Sequence, residues 1–210
     1  PMTEFAGLEG LLGIALVGAM PLLFPALGEM YAELSGVFNF GIEGIMLTSA
    51  SVAFLTTTFT GSVYLAIGLG SVAALAMGLL VAVFAVRFRA DQVVLAIGVL
   101  LFGTALSSVL VSTLAPKVVN VLANVQTLPA INIPYLDSIP ILGAFFRLNA
   151  LGYLGLILVP VSWFVLFRTR FGLMTRMTGE DPLSADNMGL PVFRLRYVAV
   201  ITSSVLAGLG

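Results

Sequence analysis

The chain has 210 residues, of which 60% are hydrophobic and 9% charged, with a net charge of −1 and a mean hydropathy of +1.13. Soluble domains carry about 25% charged residues, so this composition excludes one and places the chain in a bilayer. Cys and His are both absent, which removes disulfides, thiolate metal sites and the commonest metal ligand and general base. Nothing in the composition calls for a metal or cofactor, and nine basic residues against ten acidic ones leave no footprint for nucleic acid.

The pattern predicts an all-α, polytopic transmembrane helix bundle of about six spans. Gly10 to Gly28 is the first apolar run, with Pro21 and Pro25 expected to kink or interrupt it. No charge occurs from Gly44 to Val86, from Gln92 to Pro116 or from Leu148 to Phe167, and each run meets the roughly 18 to 20 apolar residues of a spanning helix. The first of these is long enough for two spans, divided at the polar stretch Thr56 to Ser62. Within its second half, Gly70, Ala74 and Gly78 put small residues on one helical face, which lets another helix approach closely within the bundle. Lys117 to Arg147, rich in Asn and Pro, reads as a loop with one short surface helix. Pro160 is expected to disturb the fifth span, and a sixth begins near Tyr197 and is still running at Gly210, too short by then to cross, so the chain is expected to be incomplete there.

Seven of the nine basic residues fall in two places: Arg87 and Arg89, and Arg168, Arg170, Arg176, Arg194 and Arg196. The positive-inside bias places both in the cytoplasm and Lys117 to Arg147 outside. Counting spans backwards puts Glu29 to Asn39 inside as well. The N-terminal run lacks a basic n-region and a clear cleavage site, so it is not read as a cleaved signal.

Inside residues 168–196 lies a polar island, Gly179 to Gly189. Asp181 is suited to cap a helix that starts at Pro182, because Pro supplies a helical φ and lacks only an N–H that would be unpaired there. Gly189 supplies the stop. About seven residues are too few for a helix to stand alone in water, where about 12 to 15 are needed. The segment is therefore either a capped surface turn packed on its own bundle or a docking handle for another subunit.

Glu43 precedes an uncharged run, flanked by Gly41 and Gly44. An acid there either faces a water-filled path through the bundle or sits at headgroup level and favours a helix N-terminus. Asn39, Gln92 and Phe102 join it, by depth, as candidate groups along a substrate path. No Gly-rich loop ends in Gly-Lys-Ser or Gly-Lys-Thr, and the single lysine is Lys117, so the chain holds no phosphate-cradling loop of its own.

Glu29 and Ser35 to Leu47, with Asn39, Gly41, Glu43 and Gly44, resemble the segment of ATP-binding cassette (ABC) importer permeases for nucleosides and simple sugars that reads roughly N-x-G-x-E-G-M-M-L. Gly179 to Gly189 is similar to their cytoplasmic motif G-E-x-P-x-A-A-D-x-x-G, with Ser184 where a small residue is usual, and the flanking Arg168 to Met177 and Arg194 to Gly210 also fit. The resemblance implies a multi-pass permease in the cell membrane that is not itself an enzyme. It implies as partners a second permease subunit, cytoplasmic ATP-binding subunits that hydrolyse ATP, and an extracytoplasmic substrate-binding lipoprotein. It gives Gly179, Glu180, Pro182, Ala185, Asp186 and Gly189 to a coupling helix that docks on the ATPase. Branched-chain amino acid permeases of the wider superfamily usually have His where Glu43 stands, and an importer of that kind is the alternative within transport. A secondary transporter or channel needing no ATPase would usually show several acids or His within its spans. A purely structural membrane subunit would show no substrate-dependent change among its partners.

Overall fold

The computed structural model describes residues 2–114, 128–129, 131 and 148–210. Among the described residues eight helices follow one another: α1 (Met2–Leu34), α2 (Ile42–Thr60), α3 (Val63–Ala82), α4 (Gln92–Leu114), α5 (Ala150–Arg168), α6 (Arg170–Glu180), α7 (Pro182–Asn187) and α8 (Val192–Leu209). A single π-helical turn, Val83–Arg87, extends α3. Among the described residues, six helices are long and apolar enough to cross a membrane: Gly13–Leu34 of α1, then α2, α3 with its π turn, α4, α5 and α8. The surface helix expected within 117–147 lies outside the described residues.

The element boundaries follow local chemistry, and they differ from the sequence expectation in four places. The break between α2 and α3 is narrower than the polar stretch. Thr56, Thr57 and Thr60 stay helical because each hydroxyl donates to the carbonyl four residues back, at 2.7, 2.9 and 2.7 Å. Gly61 then ends α2 in the left-handed region at φ 69°, and Ser62 caps α3 by accepting from Leu65 N–H. The first helix runs past Gly28 to Leu34, taking in Glu29, because that carboxylate finds buried partners. Pro21, Pro25 and Pro160 lie inside continuous helices and interrupt neither α1 nor α5. Finally, α8 starts at Val192, so Arg194 and Arg196 belong to its first turns. Arg194 is exposed at the helix end, and Arg196 reaches backbone carbonyls there.

Two apolar clusters hold the bundle. Ile45, Ala74, Met77, Val81, Val99, Val200 and Ala207 join α2, α3, α4 and α8, while Phe24, Leu27, Tyr31, Leu166 and Leu206 join α1, α5 and α8. Small residues set the closest crossings. A Cβ on Gly103 of α4 would collide with the Gly44 carbonyl of α2, and one on Gly78 of α3 would collide with Ser204 of α8. Adding a methyl at such a crossing costs about 1 to 3 kcal/mol through overpacking. The small-residue face Gly70, Ala74, Gly78 is thus consumed inside the chain, against Ser49 and Ala53 of α2 and Ser204 and Gly208 of α8.

These contacts bring the α1–α2 loop, the end of the π turn and the α6–α7 segment to one end of the bundle, together with seven of the nine basic residues. The Gly61–Ser62 turn lies at the far end of α2 and α3.

Candidate functional site

At the basic end, α7 is fixed from both sides by its own residues. Asp181 accepts from Leu183 N–H and Ser184 N–H, each at 3.1 Å, and the Ser184 hydroxyl donates to its other carboxylate oxygen. These bonds, the Ser184 hydroxyl first, hold the Asp181 carboxyl below the usual carboxylate range. At the other end Gly189 sits at φ 79°. Its N–H donates to the Asp186 carbonyl at 2.8 Å, and Leu190 N–H donates to the Ala185 carbonyl at 3.1 Å. That pair of bonds closes the helix with a left-handed glycine cap.

The surface α7 presents is apolar. Ala185 is buried, whereas Leu183 is 77% and Met188 is 68% exposed, and Glu180 and Asp186 flank them in solvent. Beside α7 a cleft of about 390 Å³ opens, walled by Pro182, Leu183 and Asp186, by Arg89 and Gln92, and by Phe193 of α8. The helix itself exposes one large hydrophobic side chain, Leu183, and its C-cap residue Met188 exposes a second.

The α1–α2 loop forms a second constellation a few residues away. Asn39 is 2% exposed, and its backbone N–H donates to Glu29 Oε1 at 2.7 Å. Its side-chain Nδ2 donates to Ser203 Oγ at 3.4 Å, and that hydroxyl donates to Glu29 Oε2 at 3.5 Å. Asn39 Oδ1 is buried without a partner among the described residues. Gln92, at the start of α4, accepts from Phe38 N–H at 2.9 Å and donates to the Gly36 carbonyl at 3.5 Å.

Of the four residues expected along a substrate path, Asn39 and Gln92 therefore meet on this loop and line one tight crevice. Glu43 is exposed in the first turn of α2, where its charge favours the helix N-terminus. Phe102 lies ten residues beyond Gln92, about 15 Å along α4 at 1.5 Å per residue. It lines a separate, apolar groove of about 500 Å³ between α3 and α4, with Leu80, Phe84, Val94 and Leu95. Sequence reasoning missed Ser203 and the role of Glu29, and it used Arg196 only to orient the chain. An acid within an otherwise apolar run, Glu29 after Gly10 to Gly28, is the signal that could have found the first pair.

Residues 11–210 match the family described as the branched-chain amino acid transport system permease component. The chain belongs to that permease family. It is 38% identical to the putative glucose ABC transporter permease protein TsgC13 of Haloferax volcanii over 95% of its own length and 60% of that protein's. It is also 38% identical to the guanosine ABC transporter permease protein NupQ of Bacillus subtilis, over 93% of its length and 63% of the relative's. With the nucleoside ABC transporter permease protein NupC of Lactococcus lactis it shares 35% identity, over 93% of its length and 63% of the relative's. This permease thus spans about three fifths of the length of the curated relatives it matches. No solved structure matches it. It is a multi-pass membrane protein.

Proposed function

We propose that the chain forms part of the translocation path of an ABC importer for nucleosides or simple sugars, with its basic end in the cytoplasm and α7 as the helix that docks on the ATPase. ATP is hydrolysed on separate cytoplasmic subunits, since this sequence carries no phosphate-cradling loop. A second permease subunit and an extracytoplasmic substrate-binding lipoprotein complete the assembly. The relatives named for glucose, guanosine and nucleoside transport support the solute class, and the positive-inside bias supports the orientation.

The observation that carries the reading is α7 itself. It is capped at both ends, too short to stand alone, and bare at Leu183 and Met188. Closure of an ATPase dimer needs a rigid handle through which to move the spans, and Glu180, Pro182, Ala185, Asp186 and Gly189 all lie on or beside this one.

The double variant Gly189→Val, Pro182→Gly tests it in the complete transporter. A Cβ at position 189 meets nothing within 4 Å, so the valine acts through backbone conformation alone. Each change loosens α7 by about 1 kcal/mol. Substrate-loaded binding protein should then fail to stimulate ATP hydrolysis, and uptake should fall, while the permease still inserts. Normal stimulation would mean that α7 is a surface turn.

A further inference from the structure

The end of α6 and the α1–α2 loop touch backbone to backbone. A Cβ on Gly179 would collide with the Leu34 carbonyl, and one on Gly36, at φ 82°, would lie 3.1 Å from Gly179 Cα. No side chain cushions this contact. Across it lies Arg196 of α8, partly buried, whose Nε–H donates to the Ser35 carbonyl and whose Nη2–H donates to the Thr178 carbonyl, both at 3.1 Å. Ser35 and Thr178 are themselves fully buried, and each hydroxyl is spent on a carbonyl three residues back, at 2.7 Å in both cases. The guanidinium therefore supplies the one cationic fork bridging these two chain segments among the described residues. Its planar geometry addresses two acceptors at a fixed separation, which a lysine ammonium on a flexible stem does not.

The loop is held just as firmly at its other end. Phe38 N–H is bound by Gln92 of α4, and Asn39 N–H by Glu29 of α1. Only Gly36, Val37 and Phe38 separate a clamp at Ser35 from a clamp at Asn39. Between Thr178 and the start of α7 stand only Gly179, Glu180 and Asp181.

We infer that Arg196 is the positioning residue that makes α6–α7 and the Ser35–Asn39 loop move as one body, so that a displacement of α7 reaches Asn39 and Gln92 at the mouth of the bundle. The inference rests on α7 being the coupling helix. Arg196 lines the cleft beside α7 together with Leu183, and its two hydrogen bonds turn away to the Ser35 and Thr178 carbonyls. It acts by rigidity, holding two backbone segments in register so that motion of the first is not absorbed by bending between them.

The test uses the full-length permease in its complete complex, reconstituted in vesicles. These 210 residues have no cysteine, so with any cysteines elsewhere in the complex replaced by serine, Phe38→Cys, at an exposed position on the loop, carries a single spin label as reporter. With Arg196 intact, trapping the ATP-bound state changes the label's mobility. In Arg196→Met both hydrogen bonds are lost, the change should vanish and uptake should fall on the order of tenfold, about 1.4 kcal/mol of coupling. Stimulation of ATP hydrolysis by loaded binding protein should stay within about twofold of the parent, because α7 still docks and the loss stays below a few tenths of that tenfold step in free energy. A label response and uptake equal to the parent's would overturn the link while leaving the coupling role of α7 intact. Loss of ATPase stimulation together with uptake would also overturn it, by placing Arg196 at the docking step. If Arg196→Met fails to insert, Arg196→Lys decides with the same readouts, since it keeps the cation but cannot hold both carbonyls. The α7 double variant, run in parallel, reports separately on the coupling reading.

Discussion

The two short segments at the basic end of the bundle are built in opposite ways. The conformation of α7 comes from residues within about ten positions of one another: the Asp181 cap, Pro182 at the first helical position, the Gly189 stop. The Ser35–Asn39 loop takes its conformation from partners far away in sequence. Glu29 lies 10 residues from Asn39, Gln92 lies 54 from Phe38, Arg196 lies 161 from Ser35, and Ser203 lies 164 from Asn39. A segment held by its own caps can be pushed as a unit without losing shape. A segment held by three helices, α1, α4 and α8, changes whenever those helices move. One is suited to deliver a displacement and the other to respond to it.

The sharpest way to break this contrast is at Asn39. Asn39→Asp places a second carboxyl in a buried site beside Glu29, and an uncompensated buried charge costs on the order of 3 to 5 kcal/mol. The expected outcome is a clear drop in the thermal unfolding midpoint of the detergent-solubilised protein at neutral pH. The drop should shrink at acid pH, where the new carboxyl is neutral. An unchanged midpoint would mean that the loop is not held as tightly as its hydrogen bonds indicate.

Glu43→Gln is expected to act more mildly. The side chain is exposed in the first turn of α2 and makes no side-chain hydrogen bond among those described. Loss of its favourable placement at the helix N-terminus costs about 0.3 to 1 kcal/mol. Uptake by the assembled transporter separates the two roles of this residue. Reduced uptake with normal assembly marks a path residue, and a small loss of thermal stability with unchanged uptake marks an anchor.

The smallest effect should come from Asp181 and pH. Its carboxyl is held below the usual range by the Ser184 hydroxyl and the Ser184 and Leu183 N–H groups, so its cap is fully present above the ordinary carboxylate range. That contribution fades as the pH falls through the depressed value, and it should be absent at all pH values in Asp181→Ala. Hydrogen exchange at Leu183 and Ser184 amides, followed from neutral to acid pH, reads this directly once intrinsic exchange rates are divided out. Equal protection in parent and variant at neutral pH would show that α7 is held by packing on Ala185 and not by its cap.

Much of the molecule was legible in the sequence because membrane helices announce themselves by length and apolarity, without reference to neighbours. Four of the expected spans, those that became α2 to α5, formed helices at close to their expected bounds, and the Asp181, Pro182 and Gly189 signals became the cap, first turn and stop of α7. Membership in the permease family was legible for the same reason, since its two motifs are contiguous.

What only the tertiary structure decided is which side chains meet. Local sequence fixes a backbone state when the competing hydrogen bonds lie within one or two turns. It says nothing about a donor whose acceptor is 161 residues away. Arg196 therefore read as one more positive charge on a loop, although in the fold it bridges Ser35 and Thr178. Glu29 falls just past the first apolar run and reads only as part of a family motif, although in the fold it anchors the Asn39 backbone. Gln92 and Asn39, chosen by depth, did come together, whereas Phe102, chosen in the same way, faces a separate apolar groove. Depth in a bilayer is a property of the sequence, and the direction in which a side chain points across the bundle is set by helix packing.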